Sequence, residues 1–298
     1  MTSYNRPKLS DNSSWHENAT TFADGTIIGE DPYAIFIDIY NTVYFAASNS
    51  YQVLIWSNGS NTVTNTLPGY QAAGVGLFVT LNGDIYLEKH TNGEVHKWNV
   101  NSNTTVLAIN MHGRCQGLFI DINNMLYCSQ TSLQRIVSKF LYNDSSIMTI
   151  VAGTGCSGSS SLQLSQPSGI CVDTNFDLYV ADTANNRIQR FPSGQINGIT
   201  VAGSSSLNTT ITLSSPSCVM LDFDRNLFVL DSFNQRIVRS GSNGFWCIAG
   251  CTEVGGSDAN QLFYPQYMAF DSHGNIFVTD VYNSRIQKFE IINIPSGE

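Results

Sequence analysis

Charged residues are scarce in this sequence: Lys and Arg number 14, Asp and Glu number 23, and together they form 12% of the chain. The formal net charge of −9 disfavours a general electrostatic attraction to nucleic acids or anionic membranes. No apolar run approaches the ~20 residues that a membrane-spanning helix requires. Residues 1–10 contain two basic side chains with no apolar segment after them, so no signal peptide is visible.

Helical periodicity and the short motifs of common catalytic sites are also missing. No window repeats apolar residues at helical spacing, and no Gly-x-Ser-x-Gly turn occurs. The five histidines form no His-x-Glu pair, and the seven cysteines form no Cys-x-x-Cys pair. We therefore expect no catalytic residue, no metal site and no cofactor.

The sequence does contain a unit repeated six times, marked by an aspartate at the end of a short apolar run. The marker positions are Asp38, Thr80, Asp121, Asp173, Asp222 and Asp271, with Thr80 as the one replacement. Successive markers are 42, 41, 52, 49 and 49 residues apart, close to the spacing of propeller blades. Each unit reads as four short strands rich in Val, Ile, Phe and Tyr, with Asn, Asp and Gly in the turns. This pattern predicts an all-β, six-bladed β-propeller.

The two ends of the chain predict how the ring closes. Blades three to five each end in an outer strand such as Ile199–Gly203, whereas no such strand follows the sixth unit. Residues 19–25 resemble that strand, so we expect them to complete the last blade and remove the open sheet edges. We assign residues 1–18 to a poorly ordered extension, 19–292 to a single propeller and 293–298 to a tail.

The units around Asp173, Asp222 and Asp271 resemble the NHL repeat. Each has a proline six residues before the marker and, after it, a strand that ends in aspartate and is followed by an Arg-Ile pair. The resemblance weakens in the first two units, where Ala47 and Lys89 replace that second aspartate. It extends over residues 19–290 and implies a six-bladed NHL propeller. Some NHL propellers bind RNA, and others recognise substrates in ligase-type proteins. An amidating lyase that resembles this family uses metal ions on such a scaffold.

Three aspartates that end second strands are each followed by an arginine five residues later. The pairs are Asp182 with Arg187, Asp231 with Arg236, and Asp280 with Arg285. A ring of carboxylates near the channel mouth could hold Ca²⁺, which prefers oxygen ligands. However, the first two units have lost both members of the pair. This joint loss favours a structural bond within each blade.

The cysteines leave two pairings open. Cys115 and Cys128 lie on adjacent strands of one hairpin and form a candidate disulfide, although Cys128 also suits a small buried hydrophobic position. Cys247 and Cys251 would lie ~13 Å apart on an extended strand, too far for a disulfide unless the chain turns. Cys171 occupies an apolar position of the innermost strand, which predicts a buried, unreactive thiol.

Three sequons follow the third strand of their blades and are candidate glycosylation sites: Asn58, Asn103 and Asn143. Such turns lie on one face of a propeller, exposed as an acceptor must be. Polar turn residues without glycans are the alternative. The cellular location stays open, with an extracellular one favoured.

We predict a non-catalytic scaffold that presents loops to a protein or glycan partner, because binding loops vary readily on a stiff framework. The candidate ligand-binding residues, near the channel mouth by register, are Tyr33, Gln166, Ser215, Tyr264 and Gln266. Tyr267 is a further candidate aromatic anchor. The alternatives are a metal-dependent hydrolase or lyase at the same mouth and the recognition propeller of an intracellular ligase-type or RNA-binding protein. The oligomeric state is open.

Overall fold

The computed structural model describes residues 4–32, 34–47, 52–67, 76–89, 93–99, 104–142, 147–204 and 211–292. Within them, the strands form six antiparallel sheets of four strands each, one sheet for each sequence unit. The predicted all-β, six-bladed propeller is confirmed. No helix among these residues has both the length and the apolar character that a transmembrane segment needs.

In each blade the first strand lies innermost, because the six first strands contact one another around the ring. Blade 1 contains β2 (Ala34–Ile37), β3 (Val43–Ala47), β4 (Gln52–Trp56) and β5 (Asn65–Leu67). Blade 2 contains β6 (Leu77–Val79), β7 (Ile85–Lys89), β8 (Glu94–Asn99) and β9 (Thr104–Asn110). Blade 3 contains β10 (Gly117–Ile120), β11 (Met125–Gln130), β12 (Arg135–Phe140) and β13 (Thr149–Ala152).

The remaining blades follow the same order. Blade 4 contains β14 (Pro167–Val172), β15 (Leu178–Asp182), β16 (Arg187–Phe191) and β17 (Ile199–Gly203). Blade 5 contains β18 (Pro216–Leu221), β19 (Leu227–Asp231), β20 (Arg236–Gly241) and β21 (Gly244–Ala249). Blade 6 contains β22 (Pro265–Phe270), β23 (Ile276–Asp280), β24 (Arg285–Phe289) and, from the other end of the chain, β1 (Thr20–Ala23).

The closing strand predicted near the N-terminus is confirmed. Strand β1 pairs antiparallel with β24, with Thr20 opposite Lys288. The Thr21 hydroxyl donates a hydrogen bond to Gln287 Oε1 at 2.8 Å. A single helical turn, α1 (Gly25–Ile28), follows and is capped by the Asp24 side chain. The last blade is therefore built from both ends of the described chain.

The alternation of strand direction gives the ring two faces. The upper face carries the connections between blades and four 3₁₀ turns between second and third strands, at Thr131–Leu133, Thr183–Asn185, Ser232–Asn234 and Val281–Asn283. The lower face carries the hairpins that begin at the marker aspartates and the turns between third and fourth strands. Asp38 shows the role of the marker, since its Oδ1 accepts the N–H groups of Tyr40 and Thr42 at 2.9 Å each.

Apolar side chains fill the space within and between the blades. All four residues of β2 and all four of β10 are buried, as expected for inner strands packed on both sides. The largest cluster of buried residues extends from Ala34 in blade 1 to Val238 in blade 5. The rings of Phe36, Phe78 and Phe119 lie edge to face or tilted at centroid distances of 4.9 and 5.2 Å.

The sequence predicts a poorly ordered extension at residues 1–18, whereas residues 4–18 form an N-terminal strap across the lower face. Asn5 Nδ2 donates to Asp38 O at 2.7 Å and to Phe270 O at 3.1 Å, which joins blades 1 and 6. Arg6 Nη2 donates to Asp222 O at 2.9 Å in blade 5. Trp15 is buried, and its Nε1 donates to Gly274 O at 2.9 Å. Residues 293–298 lie outside the described part of the chain.

Two disulfides are present. Cys115 pairs with Cys128 as the hairpin arrangement predicts, so Cys128 is not a free buried thiol. Cys247 and Cys251 also form a disulfide, with Cα atoms 5.7 Å apart, so the chain makes the turn that this pairing requires. Gly250 has φ = 67°, a left-handed conformation that turns the chain out of the strand between them. Cys156, Cys171 and Cys218 are free, and of these Cys156 is exposed.

The glycosylation candidate Asn58 lies on the lower face. Asn58 is exposed in the turn after β4, as an acceptor site requires. Asn103 and Asn143 lie outside the described residues.

Candidate binding surface

The repeated Asp-Arg pairs brace the upper face. In blade 4, Arg187 Nε donates to Asp182 Oδ2 at 2.7 Å, while Oδ1 of the same carboxylate accepts the N–H of Ser165 at 2.7 Å. The remaining Arg187 nitrogens donate to the carbonyls of Ser159, Ser160 and Gln163. Equivalent Nε–Oδ2 contacts join Arg236 to Asp231 at 2.9 Å and Arg285 to Asp280 at 2.7 Å. Each pair therefore holds the loop that enters its blade.

These carboxylates have no solvent-facing oxygen. Asp182, Asp231 and Asp280 are fully buried, and in each both oxygens accept bonds from protein donors. Burial raises the pKa of each aspartate, and the backbone, Asn and Arg donors oppose that rise. Within the described part of the chain, no three His, Cys, Asp or Glu side chains converge in a way that could hold a metal ion.

Three of the candidate ligand-binding residues occupy one repeated position, where the chain enters a blade in left-handed conformation. They are Gln166, Ser215 and Tyr264, with φ values of 52°, 47° and 57°. Their N–H groups donate to side-chain oxygens of the preceding blade, namely Gln134 Oε1, Asn186 Oδ1 and Gln235 Oε1, at 2.7, 2.8 and 2.6 Å. The backbone at these positions therefore links neighbouring blades. Tyr33 lies outside the described residues.

Replacing Gln235 with methionine tests this link. Methionine keeps the length of the side chain but removes the acceptor for the Tyr264 N–H, so the free energy of unfolding is expected to fall by about 1 kcal/mol. Urea unfolding measures the change. The matched control is Gln195→Met, at an exposed loop position, which is expected to stay within about 0.5 kcal/mol of the parent protein. Equal stability of both variants would contradict the role of the link.

The side chain of Tyr264 belongs to a group of four aromatic rings, here called the aromatic patch: Phe233, Phe263, Tyr264 and Tyr282. Tyr264 stacks on Tyr282 at a centroid distance of 4.9 Å and an interplanar angle of 23°. Phe263 meets Tyr282 edge to face at 5.1 Å, and Phe233 lies 5.5 Å from Tyr264. Phe233 and Tyr282 project from the 3₁₀ turns of blades 5 and 6, so the four rings form one surface on the upper face.

The aromatic patch is exposed to solvent. Phe233 is 56% exposed, Tyr282 60% and Phe263 41%, whereas Tyr264 is half-buried. In blade 4 the corresponding positions hold Ala184, Ser165 and Gln166, and the blade folds in the same way. The propeller itself does not need aromatic rings at these positions. Three exposed rings packed around a half-buried fourth are typical of an interaction surface.

The patch is apolar with a polar margin. Burial raises the pKa of Tyr264, the neighbouring Tyr282 adds to the rise, and a hydrogen bond with the Gln266 side chain opposes it. Two of the predicted residues, Tyr264 and Gln266, are therefore brought together, while Gln166 and Ser215 lie at other blade junctions. Arg236 and Arg285, the repeated arginines of blades 5 and 6, are already paired with Asp231 and Asp280.

Tyr267, the further candidate anchor, uses its hydroxyl in a contact between blades. Its hydroxyl donates to Gln116 O at 2.6 Å, which joins blade 6 to blade 3 across the channel. Its side chain therefore crosses the channel below the mouth. Sequence reasoning also missed Phe233, Phe263 and Tyr282. An alignment of the repeats could have found them, because they are aromatic where blade 4 has alanine and serine. The alignment indicates one shared surface only when the structure places the two turns side by side.

Comparisons with known proteins agree with this architecture. The chain is similar to a protein of unknown function from Bacteroides thetaiotaomicron, with a TM-score of 0.76 and 15% identity over 94% of this chain and 77% of the other. It is also similar to virginiamycin B lyase from Staphylococcus aureus, with a TM-score of 0.62 and 13% identity over 88% and 95% of the two chains. An auxiliary nutrient binding protein from Bacteroides ovatus gives a TM-score of 0.60 and 15% identity over 98% and 76%.

No curated protein matches the sequence. At these identities the structural similarities show the fold alone. The NHL repeat model matches residues 164–191 and 264–289, which confirms the resemblance read from the sequence. The chain therefore carries NHL repeats within a six-bladed β-propeller.

Proposed function

We propose that this protein is a non-catalytic binding scaffold whose upper face holds a protein or glycan ligand through the aromatic patch. The observation that carries the proposal is the concentration of three exposed rings and the half-buried Tyr264 at one blade junction, where the same positions of blade 4 are small or polar. Aromatic side chains supply a large contact area with few rotatable bonds, so ordering them on binding has a low entropic cost.

The rigidity of the face supports this role. The Asp-Arg braces and the links between blades hold the turns that carry Phe233 and Tyr282. A preorganised surface binds more tightly because it loses little conformational entropy on binding. One protein of similar fold is described as an auxiliary nutrient binding protein, which supports a binding role for such a ring. The two disulfides support an oxidising compartment, and therefore ligands outside the cytosol.

The proposal is tested with a glycan array and an array of extracellular protein domains, probed with the parent protein and the double variant Phe233→Ala/Tyr282→Ala. Loss of two central rings is expected to weaken binding at least about tenfold, because each truncation at an interface centre removes more than about 1 kcal/mol. The control is Tyr40→Ala, which removes a tyrosine of similar exposure from the lower face. Unchanged binding by the double variant, or equal loss in the control, would refute the assignment.

A metal-dependent hydrolase or lyase is the alternative, and the likeness in fold to virginiamycin B lyase is what supports it. Metal analysis of the dialysed natural protein separates the two. A stoichiometric divalent metal together with turnover that chelation abolishes would favour the enzyme. Binding that survives chelation would favour the scaffold.

A further inference from the structure

The marker aspartates of the lower face differ in the partner of one carboxylate oxygen. In the five blades whose marker is an aspartate, the carboxylate caps the hairpin through Oδ1, and Oδ2 is available to a second donor. In blades 1 and 3 that donor is the hydroxyl of Tyr44 or Tyr127, at 3.1 and 3.2 Å. In blades 5 and 6 it is the side-chain amide of Asn226 or Asn275, at 2.9 and 2.6 Å.

Asp173 in blade 4 departs from this pattern. Its Oδ1 accepts the N–H groups of Asn175 and Asp177 at 2.8 and 2.9 Å, so the hairpin is capped as elsewhere. Its Oδ2 is buried and has no hydrogen-bond partner among the described residues. Arg225 Nη1 lies 3.8 Å away, beyond hydrogen-bond distance, on a side chain that is 49% exposed. A buried carboxylate oxygen without a donor is costly, so a ligand that supplies a hydrogen-bond donor at this position would offset that cost.

Asp173 lies in the wall of a cavity of about 280 Å³ between blades 2, 3 and 4, here called the lower pocket. This volume suits a ligand of one ring. The aromatic side chains of the wall are Tyr4, Phe78, Phe119, Tyr142 and Phe176. Tyr4 comes from the N-terminal strap, and its ring lies edge to face with Phe119 at a centroid distance of 5.2 Å. Its hydroxyl donates to Val172 O at 3.0 Å, which fixes the ring in the wall.

The charged side chains in the wall of the lower pocket are acidic, while two cations lie beside it: Arg225, close to Asp173, and Arg6, close to Tyr4. Asp121 and Asp173 both line it, and no lysine or arginine does so among the residues that the structure describes. Burial raises the pKa of the Tyr4 hydroxyl; Cys171, Asp173 and Asp121 add to the rise, and the positive charge of Arg6 opposes it. Aromatic faces and carboxylates both stabilise an organic cation. To satisfy Asp173 Oδ2, that cation must also carry an N–H group that can donate a hydrogen bond.

We propose that the lower pocket binds a small protonated primary amine, whose ammonium group donates a hydrogen bond to Asp173 Oδ2 while its apolar part contacts the aromatic wall. A quaternary ammonium ion satisfies the aromatic rings and the charge but has no N–H to donate. A neutral alcohol of the same shape can donate but carries no charge. The site lies on the face opposite the aromatic patch, so it is independent of the ligand proposed there.

Isothermal titration of the whole protein with benzylammonium, benzyl alcohol and benzyltrimethylammonium separates these contributions. Benzylammonium is expected to bind at least about tenfold more tightly than either comparator, because a charge-assisted hydrogen bond contributes more than a neutral one. Equal affinity for benzyl alcohol would reduce the site to an apolar cavity and overturn the proposal. Absence of heat with benzylammonium, together with unchanged amide chemical shifts around Asp173, would overturn it as well.

The variant Asp173→Asn keeps the Oδ1 acceptor that caps the hairpin and removes the charge. It is expected to weaken benzylammonium binding about tenfold or more. The matched control is Asp271→Asn, the same change at the same repeat position in blade 6, where Oδ2 already has its donor; binding is expected to stay within about twofold. Tyr142→Ala, at an exposed wall position, gives an independent loss through the aromatic contact. Full binding by Asp173→Asn would contradict the proposal.

Discussion

Replacing Arg239 with methionine is expected to lower the free energy of unfolding by about 3–5 kcal/mol, because it leaves the carboxylate of Asp222 buried without its cation. Both side chains are fully buried, and Arg239 Nη2 lies 3.3 Å from Asp222 Oδ2. The guanidinium also lies over the ring of Trp15 in the strap, at 5.9 Å from its centroid. Its Nη1 donates to Ser10 O at 2.8 Å. Arg239 therefore ties the strap to blade 5, and the variant is expected to loosen both.

The double variant Asp222→Asn/Arg239→Met separates the charge from the packing. Removing both charges leaves no ion uncompensated, so most of the stability lost in the single variant is expected to return. Urea unfolding gives both values, and hydrogen exchange at residues 9–15 reports the strap. A single variant as stable as the parent protein, or a double variant no better than the single one, would show that the pair does not secure the strap.

Acidification is expected to stabilise the protein through Glu88. This side chain is fully buried, and neither carboxylate oxygen has a hydrogen-bond partner among the described residues. Burial raises its pKa from 4.5 to about 7, and the positive charge of Arg114 opposes the rise. Because the pKa is higher in the folded than in the unfolded state, the stabilisation is fully present below about pH 4.5 and is lost as the pH rises through about 7. The difference between the folded and unfolded pKa values corresponds to about 3 kcal/mol of unfolding free energy.

Unfolding free energies measured between about pH 5 and pH 8 test this expectation. In Glu88→Gln the titrating group is gone, so the difference between the two ends of the range is expected to shrink by about 3 kcal/mol. Glu17→Gln, at an exposed position, is the control and should leave the profile unchanged. An unaltered profile in Glu88→Gln would mean that the carboxylate is solvated in the folded protein.

The blade pattern could be predicted because it is local. Each marker aspartate caps a hairpin of its own blade, and each strand pairs with its neighbour in sequence. The closing strand was predictable for the same reason, since residues 19–25 repeat the sequence of an outer strand and the last blade lacks one. The Cys115–Cys128 pairing could be predicted because both cysteines belong to one hairpin, 13 residues apart.

The strap could not be predicted because several of its contacts join residues more than 200 positions apart. Asn5 reaches Phe270, and Trp15 reaches Gly274, with no repeat in the sequence to signal either contact. The Cys247–Cys251 bond depends on a single left-handed turn at Gly250, which strand spacing does not reveal. Of the four rings in the aromatic patch, the register predicts Tyr264, together with the adjacent Gln266, whereas Phe233, Phe263 and Tyr282 required the two turns to be seen side by side.

Oxidative footprinting of the protein, free and bound to a ligand identified on the arrays, tests the central claim most directly. The account predicts that Phe233, Phe263 and Tyr282 become protected on binding. It also predicts that Tyr40 and Tyr142 on the lower face are oxidised at the same rate in both samples. Protection of the lower-face tyrosines, with the aromatic patch still oxidised at its free rate, would contradict it.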